Sequence, residues 1–248
     1  MLIGDIFIQP LVLIILPLVA FLYASIGHDG ASGYIAVMSI FSIPISFVKP
    51  TALVLNIFVS GLSFYFYYRA KHFSWKLFYP FAMASIPFSF IGGYLTIDPT
   101  VYNIILGIFL FIAALRLLGV FGKFNAVITE INLYYALSIG AIIGFLSGLI
   151  GIGGGIVLSP VLYLLRWANI KQTAAISALF ILVNSISGIL GFIFKGGTLP
   201  TSSALLIGIV LTGGLLGAYY GSKKLGTVTL QRFLALVLII AMIKLFII

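Results

Sequence analysis

The sequence predicts an all-α polytopic membrane protein of two inverted-topology repeats, each with a broken or re-entrant, glycine-rich helix pair. Three observations predict it: apolar runs of spanning length along nearly the whole chain, sequence matches between the two halves, and a one-sided distribution of cations. The chain is 62% hydrophobic and only 7% charged, whereas a soluble domain carries roughly a quarter charged residues. Its runs approach or exceed the ~20 apolar residues that cross a bilayer core as a helix. They are continuously apolar rather than alternating, which excludes a β-barrel. The absence of cysteine excludes disulfides and thiolate metal sites.

The first run, 6–26, has no basic segment ahead of it and Asp5 as its one early charge, so it reads as a span rather than a cleaved leader. It breaks at "GHDGASG" (27–33), and a shorter apolar piece follows at 31–47. Run 50–69 opens on "KPTA" (49–52) and sets Asn56, Ser60 and Ser63 on one helix face. A polar loop with Arg69, Lys71, His72 and Lys76 leads to run 75–97, and His72 reads as a solvated bystander there. Run 100–119 ends with Arg116 near its close. The second half starts with run 131–150, where Gly140, Gly144 and Gly148 recur every fourth residue, the spacing of close helix packing. It breaks at "GIGGG" (151–155), followed by a short apolar piece at 156–168. Run 172–194, preceded by "KQTA" (171–174), carries a stripe of Thr173, Ser177 and Asn184. Run 200–222 repeats the packing spacing at Gly213, Gly217 and Gly221, and run 227–247 closes the chain. No connection is long enough for a soluble domain.

The halves, 1–122 and 123–248, match in order. "FLYASIGHDGASGYI" from 21 lies over "FLSGLIGIGGGIVL" from 145, "KPTA" over "KQTA", "FIGGYL" (90–95) over "LLGAYY" (215–220), and Arg116 near Lys244, at offsets of 124, 122, 125 and 128. An even number of crossings before Lys49 puts Arg69, Lys71, Lys76, Arg116, Lys123, Arg166, Lys171, Lys223, Lys224 and Arg232 on one side. Lys49, Lys195 and Lys244 fall on the other, a ten-to-three split, against six-to-seven for the odd count. The excess of Lys and Arg marks the cytoplasmic side of an inner membrane. Each half then has an odd net number of crossings, the halves are inverted, and both termini lie outside. Residues 6–47 are either two full spans or a hairpin that dips in and returns, and charge counting leaves both open.

A break inside hydrocarbon is tolerated where it lines a cavity or meets protein partners. Glycine leaves its amide uncovered, and the following short helix adds the positive end of its dipole, so an anion is the natural ligand. Gly151, Gly153, Gly154 and Gly155 are too closely spaced for one helix face. They form the candidate substrate site with Gly27, His28, Asp29 and Gly30 of the first break and with Asn56, Ser177 and Asn184 of the stripes. His28 and Asp29 are the ionisable pair beside a break, and His28 is the candidate carrier of a coupling proton. A surface loop is the competing reading of that pair, and helix-to-helix hydrogen bonding is the competing reading of the stripes. Lys49 and Lys171 are expected at helix starts near the two surfaces, drawing anions into vestibules.

"GLIGIGGGIVLSPVL" (148–162) and its first-half counterpart resemble the TauE/SafE sulfite-exporter family of membrane permeases. That resemblance covers most of the chain. It implies transport of small sulfur-containing anions such as sulfite, thiosulfate or organosulfonates, and the ionisable pair adds proton coupling. The first half departs from the pattern, with "GHDGASG" in place of a plain glycine run and no match for Pro160. Partners are then the anion, protons and the lipid bilayer; a homo-oligomer is compatible with the sequence. Neither cofactor nor metal is called for, and the net charge of +9 reflects membrane topology rather than nucleic-acid binding.

Two alternatives belong to other classes. A passive anion channel needs the same polar lining without an alternating gate. "GASG" (30–33) resembles the Gly-x-Ser-Gly of rhomboid intramembrane proteases, with Ser32 as nucleophile. That chemistry needs a base in reach, and the one later histidine is His72 in the basic loop. The H-E-x-x-H, P-loop and G-x-S-x-G signatures are absent, so an enzyme is not expected.

Overall fold

A computed structural model describes residues 2–3, 6–7, 10–25, 30–120, 129–200, 203–223, 235–236, 238–240 and 242–243. Nine helices lie among the described residues: α1 Pro10–Ser25, α2 Ala31–Ile40, α3 Ile45–Arg69, α4 Trp75–Tyr94, α5 Pro99–Leu117, α6 Leu133–Ile150, α7 Gly155–Leu164, α8 Ile170–Phe194 and α9 Ser203–Lys223. A two-residue antiparallel pairing of Leu2–Ile3 with Ile6–Phe7 (β1, β2) precedes them. The closing run, 227–247, lies largely outside the described residues.

Helix length decides which elements cross. At 1.5 Å per residue, the 25 residues of α3 and of α8 reach about 37 Å, beyond the ~30 Å hydrocarbon core. α3, α6 and most of α8 are long and apolar enough to span. The ten residues of α2 and of α7 reach about 15 Å, half the core. Each is too short to cross the core as a single helix, a length that favours the hairpin reading of 6–47. α2 folds back on α1: the space beside Gly33 is filled by the Val19 and Tyr23 side chains, and the Tyr23 and Ser32 hydroxyls are 2.9 Å apart. Ser32 is therefore buried and hydrogen-bonded within its own hairpin, while His72 lies in the turn between α3 and α4.

The polarity of the packing is that of a membrane protein. Ile14, Leu18, Met83, Ile86, Phe88, Ile104, Ile108, Ile142, Leu190 and Leu216 are exposed, while Asn56, Ser60, Ser85, Ser89, Ser177 and Asn184 are fully buried. Polar groups face inward because hydrocarbon offers them no hydrogen bond.

Small residues set the register between helices. A Cβ at Gly140, Gly144 or Gly148 of α6 would strike the backbone of Phe81, Ser85 or Ser89 of α4 in turn, so α4 and α6 run parallel in close contact. The glycine spacing read from the sequence as a packing signal is that contact. Gly213 and Gly217 of α9 meet Pro17 and Phe21 of α1 in the same manner. In α4, Gly92 meets the Phe145 carbonyl of α6 and Gly93 that of Gly188 in α8. The long helices α3 and α8 cross antiparallel, Gly61 facing Leu182 and Gly188 facing Leu53.

Candidate functional site

The second break is the best-described part of the site. α6 ends at Gly151, whose φ of +94° and ψ of 15° are left-handed, the glycine C-terminal stop. Gly153 and Gly154 also have positive φ, +76° and +79°, angles that disfavour any residue with a Cβ. Three such glycines within four residues turn the chain so that α7 starts at Gly155 and runs back. All of 151–156 is buried.

Contacts place this break between the middle of α8 and the Lys49 end of α3. A Cβ at Gly155 would meet Ile181, and the Ser159 and Ser177 hydroxyls are 2.8 Å apart. α7 therefore runs antiparallel to α8 from near its midpoint, Leu182, towards its start. Asn184 sits two residues past that midpoint and Asn56 one residue before the midpoint of α3. Asn56 Nδ2 reaches the Gly151 carbonyl at 3.5 Å, and the Tyr102 hydroxyl donates to the adjacent Ile150 carbonyl at 2.8 Å. Ser89 Oγ donates to the Asn184 carbonyl at 2.7 Å, joining α4 to the same layer. The Asn184 amide nitrogen donates to Phe180 O at 2.8 Å, but its Oδ1 has no partner, nor have Ser147 Oγ, Ser185 Oγ, Thr173 Oγ1 and Ser63 Oγ. Buried polar atoms normally find a partner, so Asn184 Oδ1 and Ser147 Oγ, unpartnered among the described residues on helices that pack around the break, are the feature that calls for a ligand or water.

On their Cβ sides the glycines are closely packed. A Cβ at Gly154 would lie 2.7 Å from Ile143 and 3.0 Å from Phe180, and one at Gly151 3.1 Å from Lys49 O. Any side chain at Gly154 is thus strained by φ and by packing together, and its substitution reports folding before it reports binding. Gly30 starts α2 with a negative φ of −85°. Gly27, His28 and Asp29 lie outside the described residues.

Lys49 departs most from expectation. α3 begins at Ile45, so Lys49 occupies its second turn and is only 9% exposed, rather than standing at a helix start near the surface. Lys171 is the second residue of α8, and α8 begins with a capping box between Asn169 and Gln172. The two lysines mark opposite ends. Lys49 and Thr96 line one cavity, and Lys195 Nζ donates to Thr96 Oγ1 at 2.6 Å. At the other end, Lys76, Thr129, Glu130, Trp167 and Gln172 line a second hollow of about 250 Å³. His72 belongs to that end, where burial of its ring, and then the Lys171 ammonium, hold its imidazole below the ordinary histidine value.

Sequence reasoning did not single out Tyr102, Ser89, Ser147 or Ser159. The serines were isolated polar residues in apolar runs, and Tyr102 had no periodic partner.

The family model described as sulfite exporter TauE/SafE matches residues 12–245. The chain belongs to the TauE/SafE family. A protein of Sinorhizobium fredii described as a probable membrane transporter is 35% identical to this TauE/SafE chain over 92% of it and 94% of the relative. Proteins of the same description from Methanocaldococcus jannaschii and Bacillus subtilis are 31% and 28% identical, over 68% and 77% of this chain and the same shares of theirs. No solved structure matches. A role in membrane transport follows from this membership, and the hydrophobic, inward-polar architecture agrees with it.

Proposed function

We propose that this TauE/SafE protein is a secondary transporter that holds a small sulfur-containing anion (sulfite, thiosulfate or an organosulfonate) between its two glycine breaks near the bilayer midplane, with passage coupled to protons at His28 and Asp29. The observation that carries the reading is the buried turn Gly151–Gly154, with the unpartnered Ser147 Oγ and Asn184 Oδ1 on the helices α6 and α8 that pack around it. The first turn of α7 begins in that turn, and N–H groups of a first helical turn have no intrahelical partner. They present positive dipole to whatever enters.

Two facts support a relation between halves 1–122 and 123–248 by inversion. α3 and α8, equivalent in the sequence matches, cross antiparallel. The contact of Gly92 with Phe145 is mirrored by that of Gly217 with Phe21, and these residues are equivalent at offsets of 125 and 124. Each half thus lends its fourth helix to the first helix of the other. Inverted repeats with discontinuous helices meeting at mid-depth are a transporter architecture. In this reading the end bearing Lys71, Lys76 and Lys171 faces the cytoplasm of an inner-membrane protein and both termini lie outside.

Purified protein in liposomes tests the reading, with labelled sulfite, thiosulfate and ethanesulfonate offered under an imposed pH gradient. Accumulation above the external concentration, abolished by collapsing the gradient, is expected. Flux that runs downhill only, whatever the pH, would identify a passive channel, and no flux of any of the three anions would overturn the assignment.

A further inference from the structure

The cavity at the Lys49 end has a composition of its own. It encloses about 170 Å³, the liquid volume of five or six water molecules, and is half open to one face of the molecule. Ile45, Pro50, Leu95, Ile97, Leu149 and Phe192 make it predominantly apolar. Its charged lining residue is Lys49, more than nine-tenths buried, and the ammonium has neither a hydrogen bond nor an ion pair among the described residues. The aliphatic stem is packed away while the ammonium opens onto the cavity, and a charged residue in such a place in a membrane protein marks a ligand path. Asp98, which follows the cavity residues Leu95, Thr96 and Ile97 in the chain, is turned to the Thr100 amide at 2.8 Å and does not line the cavity. Lys195 is exposed, bound to Thr96 at the rim, and its hydrated charge steers anions inward rather than neutralising them inside.

The cavity leads to the break. The Lys49 backbone packs on Gly151, and the hydroxyl of Tyr102, another wall residue, is bonded to the Ile150 carbonyl. An anion held at Lys49 therefore rests against the end of α6, directly before the glycine turn.

We propose that this cavity is a binding site for a monovalent organic anion, a sulfonate or carboxylate with a short apolar chain, the acid group at the Lys49 ammonium and the chain between Leu95, Ile97, Leu149 and Phe192. The inference rests on the anion-transport reading above and narrows it. One ammonium among apolar walls balances one charge. The second charge of sulfate or thiosulfate would sit uncompensated against aliphatic walls, so inorganic dianions bind poorly. A chain of two to four carbons gains by displacing water from those same walls.

The test uses purified full-length protein in detergent, with binding of ethanesulfonate, butyrate, sulfate and thiosulfate read by calorimetry, and flux of the same four anions in liposomes. Ethanesulfonate and butyrate are expected to bind at least tenfold more tightly than either dianion. Lys49→Met, close in shape and uncharged, should lower ethanesulfonate affinity at least tenfold, and Lys49→Arg should restore most of it. Should Lys49→Met fail to elute as the parent does, Phe192→Ala serves in its place, with ethanesulfonate and butanesulfonate compared: widening the wall should shift the optimum chain towards the longer of the two. Dianions bound or carried as well as ethanesulfonate overturn this proposal and leave the transport reading standing. Parental ethanesulfonate affinity in Lys49→Met, or an unmoved chain optimum in Phe192→Ala, does the same. Wild-type protein that neither binds nor carries any of the four anions overturns this proposal, and the lack of sulfite flux as well overturns the transport reading.

Discussion

Asn184→Leu separates a ligand-facing polar group from a structural one, because the two roles predict opposite signs of stability change. Asn184 is fully buried; its amide nitrogen donates to Phe180 O within α8, and its Oδ1 has no partner. An unsatisfied buried acceptor costs about 1–3 kcal/mol, and a made hydrogen bond returns about 0.5–1.5 kcal/mol. Leucine keeps the branched skeleton, removes the orphan and forfeits the local bond, while Phe180 O retains its backbone partner in the helix. The net expectation is a gain of about 1 kcal/mol. For a chain of this length that is a rise in Tm of about 2–4 °C, measured by thermal unfolding of the purified protein in detergent. Transport in liposomes should fall at least tenfold in the same variant. A Tm lowered by several degrees with parental flux would make Asn184 a packing residue and remove it from the site.

Asn56→Leu should also lower flux, but with some loss of stability, because the long Asn56–Gly151 bond ties α3 to the end of α6; unaltered flux would limit Asn56 to that tie. Single cysteines at Lys71 and Lys171 are expected to react with an impermeant reagent from one face and a cysteine at Lys195 from the other, and labelling of all three from the same face would refute the arrangement of ends. His28→Gln should flatten the pH dependence of flux, whereas a parental profile would return His28 to a surface loop. His72→Gln should leave the profile above pH 6.5 unchanged: its pKa lies below the ordinary value, so the ring is already neutral there, and a change in that range would give His72 a role. Gly148→Val, which drives a side chain into the Ser89 carbonyl, should cost at least the ~1–3 kcal/mol of overpacking, seen as aggregation on size exclusion; a monodisperse, stable variant would mean that α4 and α6 can part.

Much of this architecture was legible because hydrocarbon imposes simple rules. The apolar runs anticipate α1, α3–α6, α8 and α9 to within a few residues, and the four-residue glycine spacing anticipates the α4–α6 and α1–α9 contacts. The short helices were harder: 31–47 reads as one apolar piece, but α2 stops at Ile40, the chain turns at Phe41–Ser42, and α3 starts after Pro44 instead of after Lys49. That shift of one turn moves Lys49 from a surface position to a buried one. Of the site, Asn56, Ser177 and Asn184 were found by helical spacing. Tyr102, Ser89 and Ser147 were not, because their roles come from pairings across helices far apart in sequence, such as Tyr102 with Ile150. The glycines of the second break were found as a turn, but their surroundings are filled by Ile143, Phe180 and Ile181, which no local pattern announces.

The clasp of α1 by α9 has a consequence for how the protein is made. α1 leaves the ribosome ahead of the other described helices, ends at Ser25 and holds Pro17 within it, while the helix that covers its Pro17 and Phe21 carbonyls begins only at Ser203. During synthesis α1 must wait in lipid, or against an insertion factor, until α2 to α8 have followed it. The converse pair closes far sooner, since α6 follows α4 after one intervening helix. Assembly therefore starts in the middle of the chain, and a truncation that removes α9 leaves the middle packed while the first hairpin lacks its seat. Separately expressed halves should be recovered only when both are present in the same membrane.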